Sequence, residues 1–286
     1  MQLTATDLLL NPDGSVYHLN LLPEDLADTI ITVGDPDRVG QVSQYFDRIE
    51  LKKGKREFRT HTGFIGRKRI SVISTGIGTD NIDIVLNELD ALVNIDLESR
   101  TIKPQLRALD IIRIGTSGAL QAAIAIDTIL VSTFAIGLDP LLHYYRMDES
   151  VEERTLREAF QKHIAHDHLH PYVVACSPQL SDRLGKDVAY GVTLTAPGFY
   201  APQGRTTRAE QKHGTLFRTL CSFSFGNFVL ANLEMETAGI YGLAKLLGHR
   251  ALSVNTILAN RLTHTFSKEP QKAVERTIRW TLERLA

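Results

Sequence analysis

Apolar residues along this chain fall into short runs, separated by segments in which they recur with a helical period. The runs Ile30–Val33, Ile70–Ser74, Asp110–Ile114, Thr128–Thr133, Tyr172–Ala175, Ala189–Leu194, Phe228–Leu233 and Ala251–Ile257 read as strands. Several place Val and Ile at consecutive positions, the pattern of strands buried on both faces of a sheet. Phe58–Phe64, the turn Gly66-Arg67-Lys68 and Ile70–Ser74 read as a hairpin, which makes the sheet mixed. Between the runs the period changes. Ile82, Val85, Leu86, Leu89 and Val93 follow a Thr79-Asp80 start at helical spacing, and Ser150 with Glu153 forms a capping box ahead of Leu156, Phe160 and Ile164. Thr237–Leu247 reads as a helix ended by Gly248, and Val274, Ile278, Thr281 and Leu285 mark an amphipathic C-terminal helix. Asn94–Leu109 is charged, contains Pro104 and is expected to be a surface excursion. Without repeats or low-complexity linkers, residues 1–286 read as one α/β domain.

Composition narrows the function classes. Hydrophobic residues make up 43% and charged residues 23%, with a formal net charge of −1, so neither nucleic acid nor a membrane surface is an expected partner. The beginning of the chain lacks a basic segment, and Leu8-Leu9-Leu10 is too short for a signal core or a membrane span. The two cysteines, Cys176 and Cys221, lack metal or redox spacing and read as free thiols of a reducing compartment, so a cytoplasmic location is expected.

Three turns carry chemistry. Asp110–Ile114 includes Arg113 and leads into Gly115-Thr116-Ser117-Gly118, where glycines, hydroxyls and a guanidinium suit an oxyanion; no Walker lysine follows. Ile30–Val33 leads into Gly34-Asp35-Pro36-Asp37-Arg38, again a strand, a glycine turn and an arginine at a helix start. Each alone also reads as a structural turn, but two in one α/β chain point to a shared anion at the carboxyl ends of strands. Asn232–Gly239 sets Glu234 and Glu236 between a strand and a helix. Acids there favour the helix dipole, and a carboxylate also accepts two hydroxyls of a cis-diol and stabilises positive charge on a ribosyl ring.

The segments GDPDRV (34–39), STGIG (74–78), RIGTSGA (113–119) and EMETAG (234–239), in that order, resemble the nucleoside phosphorylase family of the uridine and purine phosphorylase type. The resemblance implies a three-layer α/β/α sandwich with a central mixed, partly barrel-like sheet, assembled as a dimer or a trimer of dimers. It implies phosphorolysis of an N-glycosidic bond to free base and ribose 1-phosphate, with phosphate as co-substrate and no cofactor. By the same resemblance Gly34, Arg38, Arg113 and Thr116 bind phosphate, and Arg56 is lent to that phosphate by a neighbouring subunit. His18 reaches the ribose 5′-OH across the interface, and Glu234, Met235 and Glu236 hold ribose. Some relatives place a monovalent cation at the dimer interface through residues matching Glu57, Ile77 and Asn81; Asn81 stands where that pattern has serine.

The base is read from Phe199-Tyr200-Ala201-Pro202-Gln203-Gly204-Arg205, which is similar to the uridine phosphorylase segment F-Y-x-x-Q-x-R. Gln203 offers a donor and an acceptor for uracil O2 and N3–H, Arg205 faces O4, and Phe199 stacks on the ring. Purine phosphorylases place an aspartate where this chain has Asn260-Arg261, and Arg261 resembles the uridine-type arginine near O4. Arg113, Glu236 and Arg261 are thus the expected catalytic set, acting on uridine. The alternatives are a purine phosphorylase, a nucleosidase of the same family and a non-catalytic nucleoside binder. Arg113→Ala is expected to slow turnover more than it changes stability. His163, His166, His168 and His170 crowd one segment but read as a solvated helix end, so no metal is expected. Asp139, His143, Tyr144 and Tyr145 read either as the pocket mouth or as a surface loop.

Overall fold

Ile and Val fill both faces of Thr29–Val33 (β1), and the strand is buried from end to end, as a strand in a sheet covered on both sides must be. The computed structural model describes residues 2–166 and 168–286. After β1 come helix α1 (Pro36–Ser43), strands β2 (Arg48–Lys55), β3 (Phe58–Ile65) and β4 (Lys68–Ser74), and helix α2 (Thr79–Asn94). The short strands β5 (Ile95–Asp96) and β6 (Thr101–Ile102) precede β7 (Asp110–Ala119), β8 (Ile129–Gly137), α3 (Val151–Ile164), β9 (Tyr172–Ala175), α4 (Pro178–Leu184) and β10 (Ala189–Thr195). The chain ends with α5 (Leu216–Cys221), β11 (Ser224–Phe225), β12 (Phe228–Glu234), α6 (Thr237–Leu246), β13 (Arg250–Asn260), β14 (Thr265–Phe266) and α7 (Pro270–Leu285).

The main sheet runs β11-β12-β10-β8-β13-β7-β1-β4-β3-β2, with β9 on β8 and β14 on β13. It is mixed: β1 is parallel to β4 and β7, while β2, β3 and β4 are antiparallel. β12 also pairs with β7, Asn232 opposite Ala119 and Leu233 opposite Gly118. That pairing closes β7, β13, β8, β10 and β12 into a barrel. Alternate strand residues feed two cores. Ile30, Ile73 and Ile111 share one with Ile82, Leu86 and Leu89 of α2 and Ile240 and Leu243 of α6. Ile31, Ile70, Ile112 and Ile114 share the other with Val39 and Val42 of α1 and Ile278, Leu282 and Leu285 of α7. The result is the expected three-layer α/β/α sandwich around a partly barrel-like sheet. Among the described residues no helix is long and apolar enough to cross a membrane.

The capping box of α3 is present, with Glu153 N–H donating to Ser150 Oγ (3.2 Å) and Ser150 N–H to Glu153 Oε2 (2.7 Å). Two expectations change. β7 does not end at Ile114 but continues through Gly115-Thr116-Ser117-Gly118 to Ala119, because β13 pairs along this stretch and β12 closes on its end. Backbone pairing from two sides overrides the turn propensity of the composition. β2, with the sequence RIELKKGK, carries a charged edge whose residues alternate between exposed and half-buried, and its apolar content is too low to read as a strand. Asn94–Leu109 holds the β5–β6 hairpin, joined to the N-terminal segment by the Gln2–Thr101 bridge.

Candidate active site

The strand ends place the charged residues. Past β1, Asp35 caps α1 by accepting the Asp37 N–H (2.9 Å), and Pro36 opens the helix, so Arg38 stands in its first turn. The Arg38 guanidinium makes no hydrogen bond among the described residues, whereas burial and the neighbouring Arg113 push its pKa down and Asp35 and Glu236 oppose them. Arg113 rises from the middle of β7, with its guanidinium folded back over Gly115. A Cβ at Gly115 would lie 1.7 Å from Arg113 Nη1. The glycine therefore admits the arginine; it does not present a turn of free N–H groups.

Arg113 is fixed on three sides. Its Nη2 pairs with Glu236 Oε2 (2.5 Å) and Glu234 Oε2 (2.9 Å), and its Nη1 donates to Asn255 Oδ1 (2.9 Å). Burial works against its charge, but the two glutamates outweigh that and hold its pKa above the ordinary arginine value. Glu234 is spent on structure as well as on this pair. It accepts from Thr195 Oγ1 (2.6 Å) and from the N–H groups of Glu236 and Thr237 (both 2.9 Å) that open α6. Glu236 keeps more freedom: among the described residues its Oε1 accepts only the Gly78 N–H (2.8 Å), at the start of α2, and its Oε2 meets Arg113. Burial pushes the Glu236 carboxyl up, Arg113 opposes this, Glu234 adds to it, and the net shift is upward.

Opposite these charges stands an aromatic and amide wall. Gln203 is buried in the short turn Ala201–Gln203, and Gly204 at φ +69° lets the chain reverse there. Arg205 donates to the Phe199 carbonyl (2.7 Å) and to Gln203 Oε1, and lies 3.8 Å over the Phe199 ring. Burial and the nearby Arg261 lower the Arg205 pKa to about 10.

One cleft of about 770 Å³ joins the two walls. It is lined by Gly34, Arg38, Arg113, Thr116, Phe199, Gln203, Arg205, Glu234, Met235 and Glu236, ten of the residues named from the sequence. Ser117, from the hydroxyl-bearing turn, and Ile77, named only for a cation, also line it, as do Leu258 and Phe266, whose apolar character gave no signal. Asn255, the third partner of Arg113, did have one, being an amide in the middle of the apolar strand ALSVNTIL.

Three named residues stand off the cleft wall. Arg261 lies behind Gln203: its Cγ is 3.2 Å from where a Gly118 Cβ would sit, its guanidinium sits 4.5 Å over Phe217, and its Nη1 donates to the Gln203 carbonyl (2.9 Å). It supports the base wall from outside. His18 and Arg56 lie elsewhere on this chain but near each other. Tyr17, next to His18, has Arg56 6.0 Å from its ring, and its carbonyl accepts Lys55 Nζ (2.6 Å). Glu88 holds His18 by its Nδ1 (2.6 Å) and its backbone N–H (2.9 Å). Asn260 is consumed by the fold, donating to the Gln121 and Ile124 carbonyls and accepting from Leu262 and Thr263.

The pocket-mouth reading of Asp139 and its neighbours does not hold. Asp139 is buried, accepts from Tyr172 Oη (2.7 Å) and the Leu141 N–H (3.0 Å), and burial raises its pKa. His143 and Tyr145 line a separate cleft. His163 Nε2 contacts the Thr219 carbonyl (2.9 Å) and His143 Nε2 that of His170 (2.8 Å), so these rings serve the local fold.

Strand ends alone would accommodate many ligands, but here paired arginines, a buried glutamate and a glutamine–arginine wall share one cleft. The family model of the Phosphorylase superfamily matches residues 28–286, and the chain belongs to that superfamily. The chain is 30% identical over 260 residues to a uridine phosphorylase of Thermococcus kodakarensis, covering 91% of this chain and 83% of that one. It is 29% identical over 253 residues to a DeoD-type purine nucleoside phosphorylase of Myxococcus xanthus, covering 86% of each. Among solved structures, a Trypanosoma brucei nucleoside phosphorylase described as showing uridine phosphorylase activity superposes with a TM-score of 0.89 at 30% identity, covering 98% of this chain and 99% of that one.

Proposed function

We propose that this chain is a uridine phosphorylase, catalysing the reversible phosphorolysis of uridine to uracil and ribose 1-phosphate. The observation that carries the reading is the Gln203–Arg205 pair closing the same cleft whose opposite wall is Arg38, Arg113 and Glu236. Arg38, Arg113, Thr116 and the Gly34 turn hold phosphate beneath the ribosyl C1′. Glu236 takes the ribose diol on the lone pairs left free by Gly78 and Arg113, with Met235 against the sugar and Glu234 bracing Arg113. A phosphate oxygen forms a bond to C1′ as the C1′–N1 bond breaks, and the bonding pair leaves with uracil. Arg205 and Gln203 stabilise the resulting anion, and Arg261 holds Gln203 in place. Rate comes from placement and fixed charge. The purine reading is disfavoured because Asn260 is an amide already spent on backbone groups.

His18 and Arg56 complete the cleft of a second copy in this reading, which makes a dimer, alone or in a hexamer, the active form. Glu57 and Asn81 flank Gly76 near that patch, with the position of a Cβ there 2.3 Å from Asn81 Nδ2 and 3.2 Å from Glu57 Cγ. Their carboxylate and amide oxygens, with the Ile77 carbonyl, are the hard donors a monovalent cation takes. Such an ion would hold the interface together. The free thiols of Cys176 and Cys221 fit a cytoplasmic location.

The test incubates the protein with uridine, thymidine and inosine, with and without phosphate, and follows free base. Uracil release that depends on phosphate and exceeds base release from inosine is expected. Release without phosphate would make the protein a nucleosidase, faster inosine cleavage would make it a purine enzyme, and uridine binding without turnover would make it a binder.

A further inference from the structure

A line of polar side chains crosses the interior of the barrel, and the reaction above does not use it. It starts at Arg113 Nη1, which donates to Asn255 Oδ1 (2.9 Å). Asn255 Nδ2 lies 3.1 Å from Ser132 Oγ, and Ser132 Oγ lies 2.5 Å from Thr193 Oγ1. Thr193 Oγ1 lies 2.7 Å from Asn232 Oδ1, and Asn232 Nδ2 lies 2.8 Å from Ser117 Oγ. Ser132, Thr193, Asn232 and Asn255 are wholly buried.

The direction of every proton follows from the arginine. A guanidinium only donates, so Asn255 Oδ1 accepts and the amide nitrogen turns to Ser132. Ser132 has one proton of its own, and among the described residues Thr193 is its one remaining side-chain partner. Thr193 therefore accepts from Ser132 and donates its single proton to Asn232 Oδ1. That leaves Asn232 Nδ2 to donate to Ser117. Ser117 Oγ is an acceptor on the barrel side, and its own proton has no acceptor among the described residues. The residue is 9% exposed and lies in the cleft wall. Ser117 follows the Thr116 of the phosphate end along β7 and precedes Gly118, where a Cβ would lie 3.2 Å from Arg261 Cγ, and Arg261 reaches the Gln203 carbonyl; Ser117 therefore stands in the cleft wall where β7 runs toward the base end.

We propose that Ser117 is a specificity-determining residue whose hydroxyl is fixed by this chain as a donor into the base end of the cleft. It takes a carbonyl oxygen of a planar base and opposes an amino group or a protonated ring nitrogen at the same place. The chain ties this donor to the arginine at the phosphate end, so one set of hydrogen bonds orients both. The proposal rests on the pyrimidine reading above and deepens it.

Uracil binding, measured by calorimetry in the presence of phosphate, tests it. Ser117→Ala is expected to weaken uracil about tenfold, and Ser117→Thr to keep it. Asn232→Asp is nearly isosteric but lacks the N–H that faces Ser117, so the carboxylate takes the Ser117 proton. It is expected to weaken uracil as much as Ser117→Ala, although the serine is still present. Wild-type affinity in Ser117→Ala, or in a folded Asn232→Asp, overturns the proposal. Should Asn232→Asp not fold, 2-thiouracil and 4-thiouracil decide. Sulfur at the carbonyl facing Ser117 costs the wild type affinity and costs Ser117→Ala nothing; an equal cost in both overturns the proposal. A wild type that releases no uracil from uridine, yet separates uracil from thiouracil through Ser117, sinks the phosphorylase reading and leaves this one standing.

Discussion

Arg113 sits between two carboxylates for which it is the cation, and this changes what its removal does. From the sequence, Arg113→Ala is a substitution that hurts turnover more than folding. In the structure it leaves Glu234 and Glu236 buried and facing each other, a loss of about 3–5 kcal/mol that a urea midpoint would read directly. Arg113→Lys keeps the charge without the planar fork. It is expected to fold and to lose about a hundredfold in turnover, with a raised phosphate KM. Glu236 makes the second residue-scale prediction. Its carboxyl titrates above the ordinary glutamate range because burial outweighs Arg113, and it accepts diol hydroxyls best when ionised. As pH falls, kcat/KM for uridine should therefore drop at a pH above the usual glutamate value. Glu236→Gln should lose most activity and that acid limb with it; a limb unchanged in the variant would contradict the role.

At the scale of elements, α3 shows what a local pattern can specify. Ser150 and Glu153 alone announce its start, and the structure adds that Glu153 also accepts from the Ala175 N–H (3.0 Å) and Lys245 Nζ (2.6 Å). Burial would raise its pKa, but Lys245 and the two N–H groups prevail and hold it below the ordinary value. The stability it contributes is thus present above the unfolded glutamate pKa and is lost as pH falls through the folded value. Glu153→Gln, which sets an amide N–H against one of these donors, should cost about 1–3 kcal/mol at neutral pH. The gap between the two urea midpoints should close in acid, below about pH 4; a constant gap would exclude the linkage. β7 shows the opposite limit. Gly115 and Gly118 read as a turn because glycine weakens isolated strands, while the structure uses their missing side chains to seat Arg113 and the Arg261 stem.

For the molecule as a whole, the question is where His18 and Arg56 act. They are neighbours around Tyr17 and stand outside the cleft that holds Arg38 and Glu236. If a second copy supplies them, Arg56→Ala and Glu236→Gln are each inactive alone, yet mixed subunits rebuild one intact cleft per mixed dimer. Co-refolding equal amounts should restore about a quarter of wild-type activity, the share expected from random pairing in a two-fold dimer. No recovery in subunits shown by gel filtration to have mixed, or a stable active monomer, would remove both residues from the site.

Several of these features are local and were legible in the chain. Runs of Ile and Val specify strands buried on both faces, the Ser150–Glu153 box opens a helix, and four short motifs supply residues suited to phosphate and ribose, with the segment 199–205 suited to a base. Other features depend on pairing between distant segments. Closure of β12 onto β7 turned a glycine-rich stretch into a barrel strand. Burial set Arg113 between two glutamates and pushed Glu236 upward. Packing moved Arg261 behind Gln203 and spent Asn260 on backbone carbonyls. Sequence determines which groups a segment can offer, because propensity and periodicity act over a few residues. Which of those groups remain free for a ligand was decided by the tertiary structure alone, since hydrogen-bond partners and desolvation arise from residues far apart in the chain.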